Sequence, residues 1–268
     1  MAAIMAAVVA PAKTISLPET PPVVQSTIHA RLGDARLDEI DQTNEDGETT
    51  FDVSYTTKTG DEKGFTVADD GTVLSVEVAL TDAPAGVQKT IHDQAPGWEL
   101  KDLSKNMADT EVSYEVEVSK QGKEKNFTVA SDGELLSAEV TPAETPPAVQ
   151  ATIKNQVADG TLQTVSEEFD PAGNSFEVEA MAKDGVRNAF SVRADGALLS
   201  VEVSLEKIPA AARQTIRARI GDGKILRIDK ALVEKKDGVL PYEVEGRKGG
   251  KPFNFSVGPR GRFLGLDD

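Results

Sequence analysis

The sequence predicts an α+β fold of four tandem repeats, each one helix packed on a four-stranded antiparallel sheet. Three observations carry that prediction. A hairpin word returns four times, as FTVADDGTVLSVEV (Phe65 to Val78), FTVASDGELLSAEV (Phe127 to Val140), FSVRADGALLSVEV (Phe190 to Val203) and FSVGPRGRFLGLDD (Phe255 to Asp268). A proline-headed word with helical spacing precedes each copy, its prolines Pro21, Pro84, Pro146 and Pro209 standing 63, 62 and 63 residues apart. Between the two lies a segment in which apolar and polar residues alternate strictly, the period of a half-buried strand.

Taken in order, residues 1–16 open with MAAIMAAVVAPA, a run of small apolar residues in which Ala10-Pro11-Ala12 resembles a small-x-small cleavage site. They read as a truncated signal peptide matured near Ala12–Lys13, or as a disordered tail. Repeats are then expected at 17–80, 81–141, 142–205 and 206–268. Proline is favoured in the first helical turn, where its missing N–H costs nothing, and Thr20 and Thr145 stand before two of the prolines as expected N-caps. The apolar residues Val24, Ile28, Leu32; Val87, Ile91, Ala95; Val149, Ile153, Val157; and Ala212, Ile216, Ile220 form one stripe per helix. Gly33, Gly97, Gly160 and Gly221 lie at or just past the helix ends.

The first strand of each repeat places its apolar residues three apart (Leu37 and Ile40, Leu100 and Leu103, Leu162 and Val165, Ile225 and Ile228), which predicts a short bulged strand. The second alternates: Phe51, Val53, Tyr55; Tyr114, Val116, Val118; Phe176, Val178, Ala180; Tyr242, Val244. A glycine-bearing loop leads into the hairpin, whose Phe65, Val67, Leu74, Val76 and Val78 are expected to face inward around a type I′ Asp70-Gly71 turn. Short proline-bearing linkers such as TPAETPP (Thr141 to Pro147) are expected to be semi-rigid. A unit of about 60 residues has a marginal core, so neighbouring repeats are expected to pack together.

The helix words PPVVQSTI, AGVQKTI and PPAVQATI, with the FxVxxDGxLLSxEV hairpins, resemble the PepSY-like family and the β-lactamase-inhibitor-protein-like repeats. The resemblance runs from about Leu17 to Asp268. It implies a secreted or envelope protein that binds another protein, with no catalytic residues to carry over. Aromatic residues on the sheet face, expected of a β-lactamase inhibitor, are not seen here.

Composition narrows the function. The chain of 268 residues carries a formal net charge of −16, which argues against a nucleic-acid partner. Of its 29 Lys+Arg and 45 Asp+Glu, 14 and 9 lie from Glu206 on, leaving 15 and 36 before it, so the fourth repeat is basic and the rest acidic. There is no cysteine, hence no disulfide, thiolate ligand or cysteine nucleophile. His29 and His92 share a helix position with Lys154 and Arg217, which reads as an exposed basic site and not a metal ligand. Asp69-Asp70-Gly71 lacks the alternating carboxylates of a calcium loop. No cofactor and no membrane span are expected.

Two sets of residues are candidates for binding a partner. Glu77, Glu115, Glu117, Glu139, Glu177, Glu179 and Glu202, with Glu243 and Glu245, point away from the predicted cores and form a repeated acidic face. Lys58, Lys120, Lys183 and Lys248 each stand two residues before a loop glycine and place a charge at a hairpin tip. The chain is therefore expected to be a non-enzymatic secreted or periplasmic binding module, a protein or peptidase inhibitor being one form of it. The alternative is a repeat scaffold or spacer of the cell envelope. The partner is an unknown protein, a peptidase or an envelope component.

Overall fold

The computed structural model describes residues 12–45, 48–107, 111–171, 173–234, 238–249 and 251–266. Of the expected signal peptide or tail at 1–16, residues 1–11 lie outside the described residues, whereas Lys13 and Thr14 pair with Gln42 and Asp41 in the sheet and Ile15 is buried in a core. The fold is α+β, with four α-helices and seventeen strands among the described residues, the strands pairing antiparallel. The chain forms two compact units, Met1–Leu136 with Gly249–Lys251 and Ser137–Lys248 with Pro252–Asp268.

The first unit runs β1 (Lys13–Thr14), α1 (Pro22–Leu32), β2 (Arg36–Glu45), β3 (Glu48–Thr56), β4 (Glu62–Ala68), β5 (Val73–Glu77), α2 (Ala85–Gln94), β6 (Glu99–Asn106), β7 (Ser113–Lys120) and β8 (Lys123–Ala130). Each strand pairs with the next, so the sheet is a meander. Strand β9 (Leu135–Glu139) follows, and its last three residues, Ser137 to Glu139, already belong to the second unit, where they pair with β10 (Thr161–Glu168). That unit continues with α3 (Pro147–Val157), which precedes β10, then β11 (Ser175–Met181), β12 (Arg187–Arg193), β13 (Leu198–Glu202), α4 (Ala210–Ile220), β14 (Lys224–Ala231), β15 (Tyr242–Lys248), β16 (Lys251–Val257) and β17 (Phe263–Leu266).

The predicted helix stripes and alternating strands supply the cores. Val24 and Ile28 of α1 pack with Ile40, Phe51, Val53, Phe65 and Val67. Val149 and Ile153 of α3 pack with Val165, Phe176, Val178, Phe190 and Val192. Ala212, Ile216 and Ile220 of α4 pack with Ile228, Tyr242, Val244, Phe255 and Val257. Fully burying one such large apolar side chain is worth about 1.5–3 kcal/mol, and these are the residues that hold helix to sheet. The apolar residue that closes each hairpin belongs to the core that follows it: Val140 packs on the α3 cluster and Val203 on the α4 cluster, as Ile15 does on the α1 cluster.

The three-residue apolar spacing of β2, β6, β10 and β14 has a direct cause. In each strand the register shifts by one residue, between Leu37 and Glu39, Leu100 and Asp102, Leu162 and Thr164, and Ile225 and Arg227. The extra residue of each bulge lets two apolar side chains three apart reach the same core.

Local readings are corrected at three places: the helix N-caps, the Asp-Gly turns and Leu74. Thr20 and Thr145 are not helix N-caps; each ends a 3-10 turn and donates its Oγ1 to Leu17 O and Pro142 O at 2.8 Å. The N-caps are the prolines themselves, Pro21, Pro84, Pro146 and Pro209. The linker at Thr141 to Pro147 holds one of these turns, Pro142–Glu144, fixed by the Glu144 carboxylate, which accepts from Thr141 N and Oγ1 at 2.7 Å each.

The Asp-Gly turns are not type I′. Gly71 N–H donates to Ala68 O and Ala68 N–H to Thr72 O, and the positive φ falls on Gly71 (86°) alone. This is a three-residue loop, a type I turn closed by a left-handed glycine. Gly133, Gly196 and Gly261 repeat it. A two-residue turn with both central φ positive does occur, at Gln121 (55°) and Gly122 (75°). The strand after the turn carries its own one-residue bulge, and Val76, Leu198, Val201 and Phe263 pack on the cores. Leu74 does not follow the predicted alternation. It and Leu199 fall in the bulges, and their carbonyls accept Met107 N–H and Leu232 N–H at 2.7 Å.

Candidate functional site: the polar sheet face

Directly opposite residues on antiparallel neighbours share a face. In the first unit the pairs Asp41–Asp52, Asp52–Thr66 and Thr66–Ser75 cross β2 to β5. The pairs Glu77–Ser104, Ser104–Glu115 and Glu115–Thr128 continue to β8, with Asp102–Glu117 and Glu117–Asn126 beside them. Together they trace one polar face opposite the helices. Two of its facing pairs, Asp41–Asp52 and Asp102–Glu117, are like charges, an arrangement that destabilises a sheet. Burial pushes the Glu77 carboxyl above its ordinary pKa, and the nearby Asp102 carboxylate adds to the shift. Thr14 Oγ1 on β1 binds Asp41 at 2.7 Å, Ser104 Oγ binds Asp102 at 2.7 Å, and Asn106 Nδ2 donates to Glu115 at 3.2 Å.

The predicted solvated acidic face does not extend to the second unit. Here the equivalent carboxylates close around two arginines. Arg227 Nη1 of β14 pairs with Glu177 of β11, and its Nε lies 2.6 Å from Asp229. Arg187 of β12 pairs with Glu179 at 2.6 Å and with Glu202 at 3.5 Å. Glu179 is buried, at 6% exposure, rather than pointing into solvent. Glu177 and Arg227 stand on strands three apart, about 14 Å in a flat sheet, so the sheet must curl around this face for them to touch. Burial pushes Glu168 to about 8, helped by the Glu177 carboxylate. It also raises Asp229 and Glu245 against the opposing pull of Arg227. Burial would lower Arg227, but Glu177 and Asp229 hold it well above the ordinary arginine value. Glu139 ends β9 opposite Ser166, and Glu243 lies opposite Asp229.

The two units differ because of where arginine falls in the sequence. Arg31 and Arg36 are the only arginines before Arg187. Arg31 lies over the Phe65 ring, and Arg36 pairs with Asp38 at 2.8 Å at the end of β2.

The tip lysines are exposed, and each reaches back to the chain just past a helix. Lys58 pairs with Asp34 at 2.6 Å, Lys183 with Asp159 at 3.1 Å and Lys248 with Asp222 at 2.7 Å, while Lys120 reaches Pro96 O at 3.5 Å. A cation there meets the negative end of the helix dipole. His29 and His92 are exposed on their helices. Among the described residues no three His, Cys, Asp or Glu side chains are grouped to hold a metal ion.

A contact absent from the sequence reading fixes helix to hairpin. Thr27, Thr90, Thr152 and Thr215 donate Oγ1 to the carbonyls of Gly71, Gly133, Gly196 and Gly261 at 2.8, 2.6, 2.7 and 2.8 Å. Gln25, Gln88 and Gln150 donate to Thr20, Ala83 and Thr145 carbonyls at 2.8 Å, closing the 3-10 turns ahead of their helices. The recurrent Gln and Thr of the helix words were the available signal.

No protein-family model matches the chain, and no curated protein matches it. Solved structures do overlap it. A DUF2874 family protein of Bacteroides uniformis is 18% identical over 43% of this chain and 86% of its own, with a TM-score of 0.35. A BLIP-like protein of Bacteroides fragilis is 16% identical over 44% and 84%, with a TM-score of 0.34. The YpeB C-terminal domain of Bacillus megaterium is 11% identical over 71% and 97%, with a TM-score of 0.22. Other matched structures, from Bacteroides eggerthii and Bacteroides thetaiotaomicron, are described as periplasmic proteins. At these scores the overlaps carry no argument about what this chain does. Among the described residues no helix is long and apolar enough to cross a membrane.

Proposed function

We propose that the chain is an exported, non-enzymatic protein-binding module of four tandem PepSY-like repeats. Its first two repeats offer an acidic sheet face to a cationic protein surface. One observation carries this reading: the same strand positions hold carboxylates in both units, but only the second unit supplies the arginines that neutralise them. Arg227 and Arg187 occupy Glu177, Glu179 and Glu202 in the second unit. In the first, Asp41 faces Asp52 and Asp102 faces Glu117. A guanidinium from a partner would relieve that repulsion with bidentate, charge-assisted bonds. The tip lysines, engaged with the helix ends, are secondary contacts at most.

Crosslinking in a periplasmic extract tests the proposal. The chain should appear in that fraction and yield a specific protein complex, and Asp41→Asn, Asp102→Asn, Glu117→Gln together should abolish it. A peptidase in the complex, inhibited at one-to-one stoichiometry, makes the module an inhibitor. A chain confined to the cytosol, or one retained only by envelope polymers with no protein captured, overturns the proposal in favour of a scaffold.

A further inference from the structure

The fourth helix and hairpin carry a surface that the acidic face does not explain. Helix α4 reads AAARQTIRARI, with Arg213, Arg217 and Arg219 and no acidic residue. Against it packs the turn Pro259-Arg260-Gly261-Arg262: Thr215 Oγ1 donates to Gly261 O at 2.8 Å, and a Cβ on Gly261 would lie 2.7 Å from Ala211 O. Arg219 stacks over Phe263 with its guanidinium carbon 3.5 Å from the ring centroid. Arg217, Arg219, Arg260 and Arg262 are exposed, and Arg213 is half-buried. Arginine therefore stands both on this helix and on the turn packed against it.

The charge comes at a local cost. In the other three hairpins an aspartate fixes the turn: Asp70, Asp132 and Asp195 accept the N–H of Thr72, Glu134 and Ala197 at 2.9, 3.0 and 3.0 Å. Arg260 stands at that position in the fourth and cannot accept such a bond. The repeat gives up a turn-stabilising contact and gains a cation at the surface.

We infer that this arginine surface docks on the acidic first-unit face of a second copy, so that copies associate head to tail. The inference rests on the proposed role of that face, and names one occupant for it. The complementarity is chemical as well as numerical. Within the second unit, Arg187 and Arg227 already bind the strand positions that Glu77, Asp52, Glu115 and Glu117 occupy in the first, so this sheet face is built to receive guanidinium groups. An interface of one patch with a different patch is heterologous, and it gives chains of copies rather than a closed dimer unless its rotation closes a ring.

Sedimentation velocity on the full chain, at about 0.05 M and about 0.5 M salt, tests this, since attraction between exposed charges is screened within about 10 Å at 0.1 M. The wild type should associate with rising concentration at low salt, and about tenfold or more weakly at high salt. Arg213→Glu, Arg217→Glu, Arg260→Glu, Arg262→Glu together should abolish association, as should Asp41→Lys, Asp102→Lys, Glu117→Lys together. A chain carrying both sets should associate again, because both charges are reversed. A monomeric wild type at low salt overturns the inference, as does association lost in the arginine variant but kept in the acidic-face variant. If that monomer still binds nona-arginine through its acidic face, self-association falls and the proposed function stands.

Discussion

Thr90 Oγ1 donates a 2.6 Å hydrogen bond to the carbonyl of Gly133, pinning the first turns of α2 to the tip of the β8–β9 hairpin. The approach is close enough that a Cβ on Gly133 would lie 2.6 Å from Gly86 C, and one on Gly86 would lie 2.2 Å from Asp132 O. Gly133→Val adds a β-branched side chain at φ +99° as well as that clash. It should destabilise by at least about 1–3 kcal/mol, the usual cost of a disfavoured backbone conformation. Thr90→Val removes only the hydrogen bond and should cost about 1 kcal/mol, while Thr90→Ser should recover most of it. Urea denaturation of the three variants checks the order; equal midpoints would contradict it.

Ala158 closes α3 at φ +49°, where Gly33 and Gly221 close α1 and α4. An alanine there carries strain that glycine does not. Ala158→Gly should raise stability by about 0.5–1 kcal/mol, a gain partly offset by the greater freedom of glycine in the unfolded chain. Differential scanning calorimetry would show a higher Tm; a lower one would contradict the strain.

Arg227 holds Glu177 and Asp229 together in the curled sheet of the second unit. Arg227→Met removes the cation and leaves both carboxylates with little water. Breaking one side of a buried ion pair costs about 3–5 kcal/mol. Converting Glu177→Gln and Asp229→Asn in the same chain should recover much of that loss. Denaturant midpoints of the single and triple variants measure it; a neutral Arg227→Met would contradict the cluster's role.

The same cluster sets a pH dependence. Glu168 titrates near 8 in the folded chain against an ordinary value of 4.5. Between those values the folded chain keeps a proton that the unfolded chain has released. Stability is therefore fully present below about 4.5, falls as pH rises and levels off above about 8, with a slope of at most about 1.4 kcal/mol per pH unit. The upward shifts of Asp229 and Glu245 act in the same direction. Glu168→Gln should flatten the profile between about pH 5 and about pH 8, the span between the unfolded and folded values; an unchanged slope would contradict the assignment.

Much of this was legible in the sequence because it follows from periodicity. The stripes Val24–Ile28, Val149–Ile153 and Ala212–Ile216–Ile220, and the alternations beginning at Phe51, Phe176 and Tyr242, all reach the cores. Even the awkward Leu37–Ile40 spacing was a bulge in disguise. What escaped was set by contacts distant in sequence. Asp70-Gly71 looks like a two-residue turn until Ala68 is seen bonding both Gly71 and Thr72. Glu177 and Glu115 occupy the same kind of position in the same kind of strand. Only the curl that brings Arg227 from three strands away separates a half-buried carboxylate from an exposed one. Alternation predicts which face a side chain takes, and not whether an arginine elsewhere in the chain has already claimed it.

The central claim is that the first unit's sheet face receives guanidinium groups from outside its own fold. Isothermal titration calorimetry of the full chain with nona-arginine tests it most directly. The control is a chain with three acids neutralised outside that face, Glu134→Gln, Asp170→Asn and Glu234→Gln, so that net charge is matched. The account predicts that Asp41→Asn, Asp102→Asn, Glu117→Gln together weaken binding at least about tenfold, while the control binds within about twofold of wild type. Equal loss in both variants would mean that net charge alone attracts the peptide, and would contradict a defined receiving face.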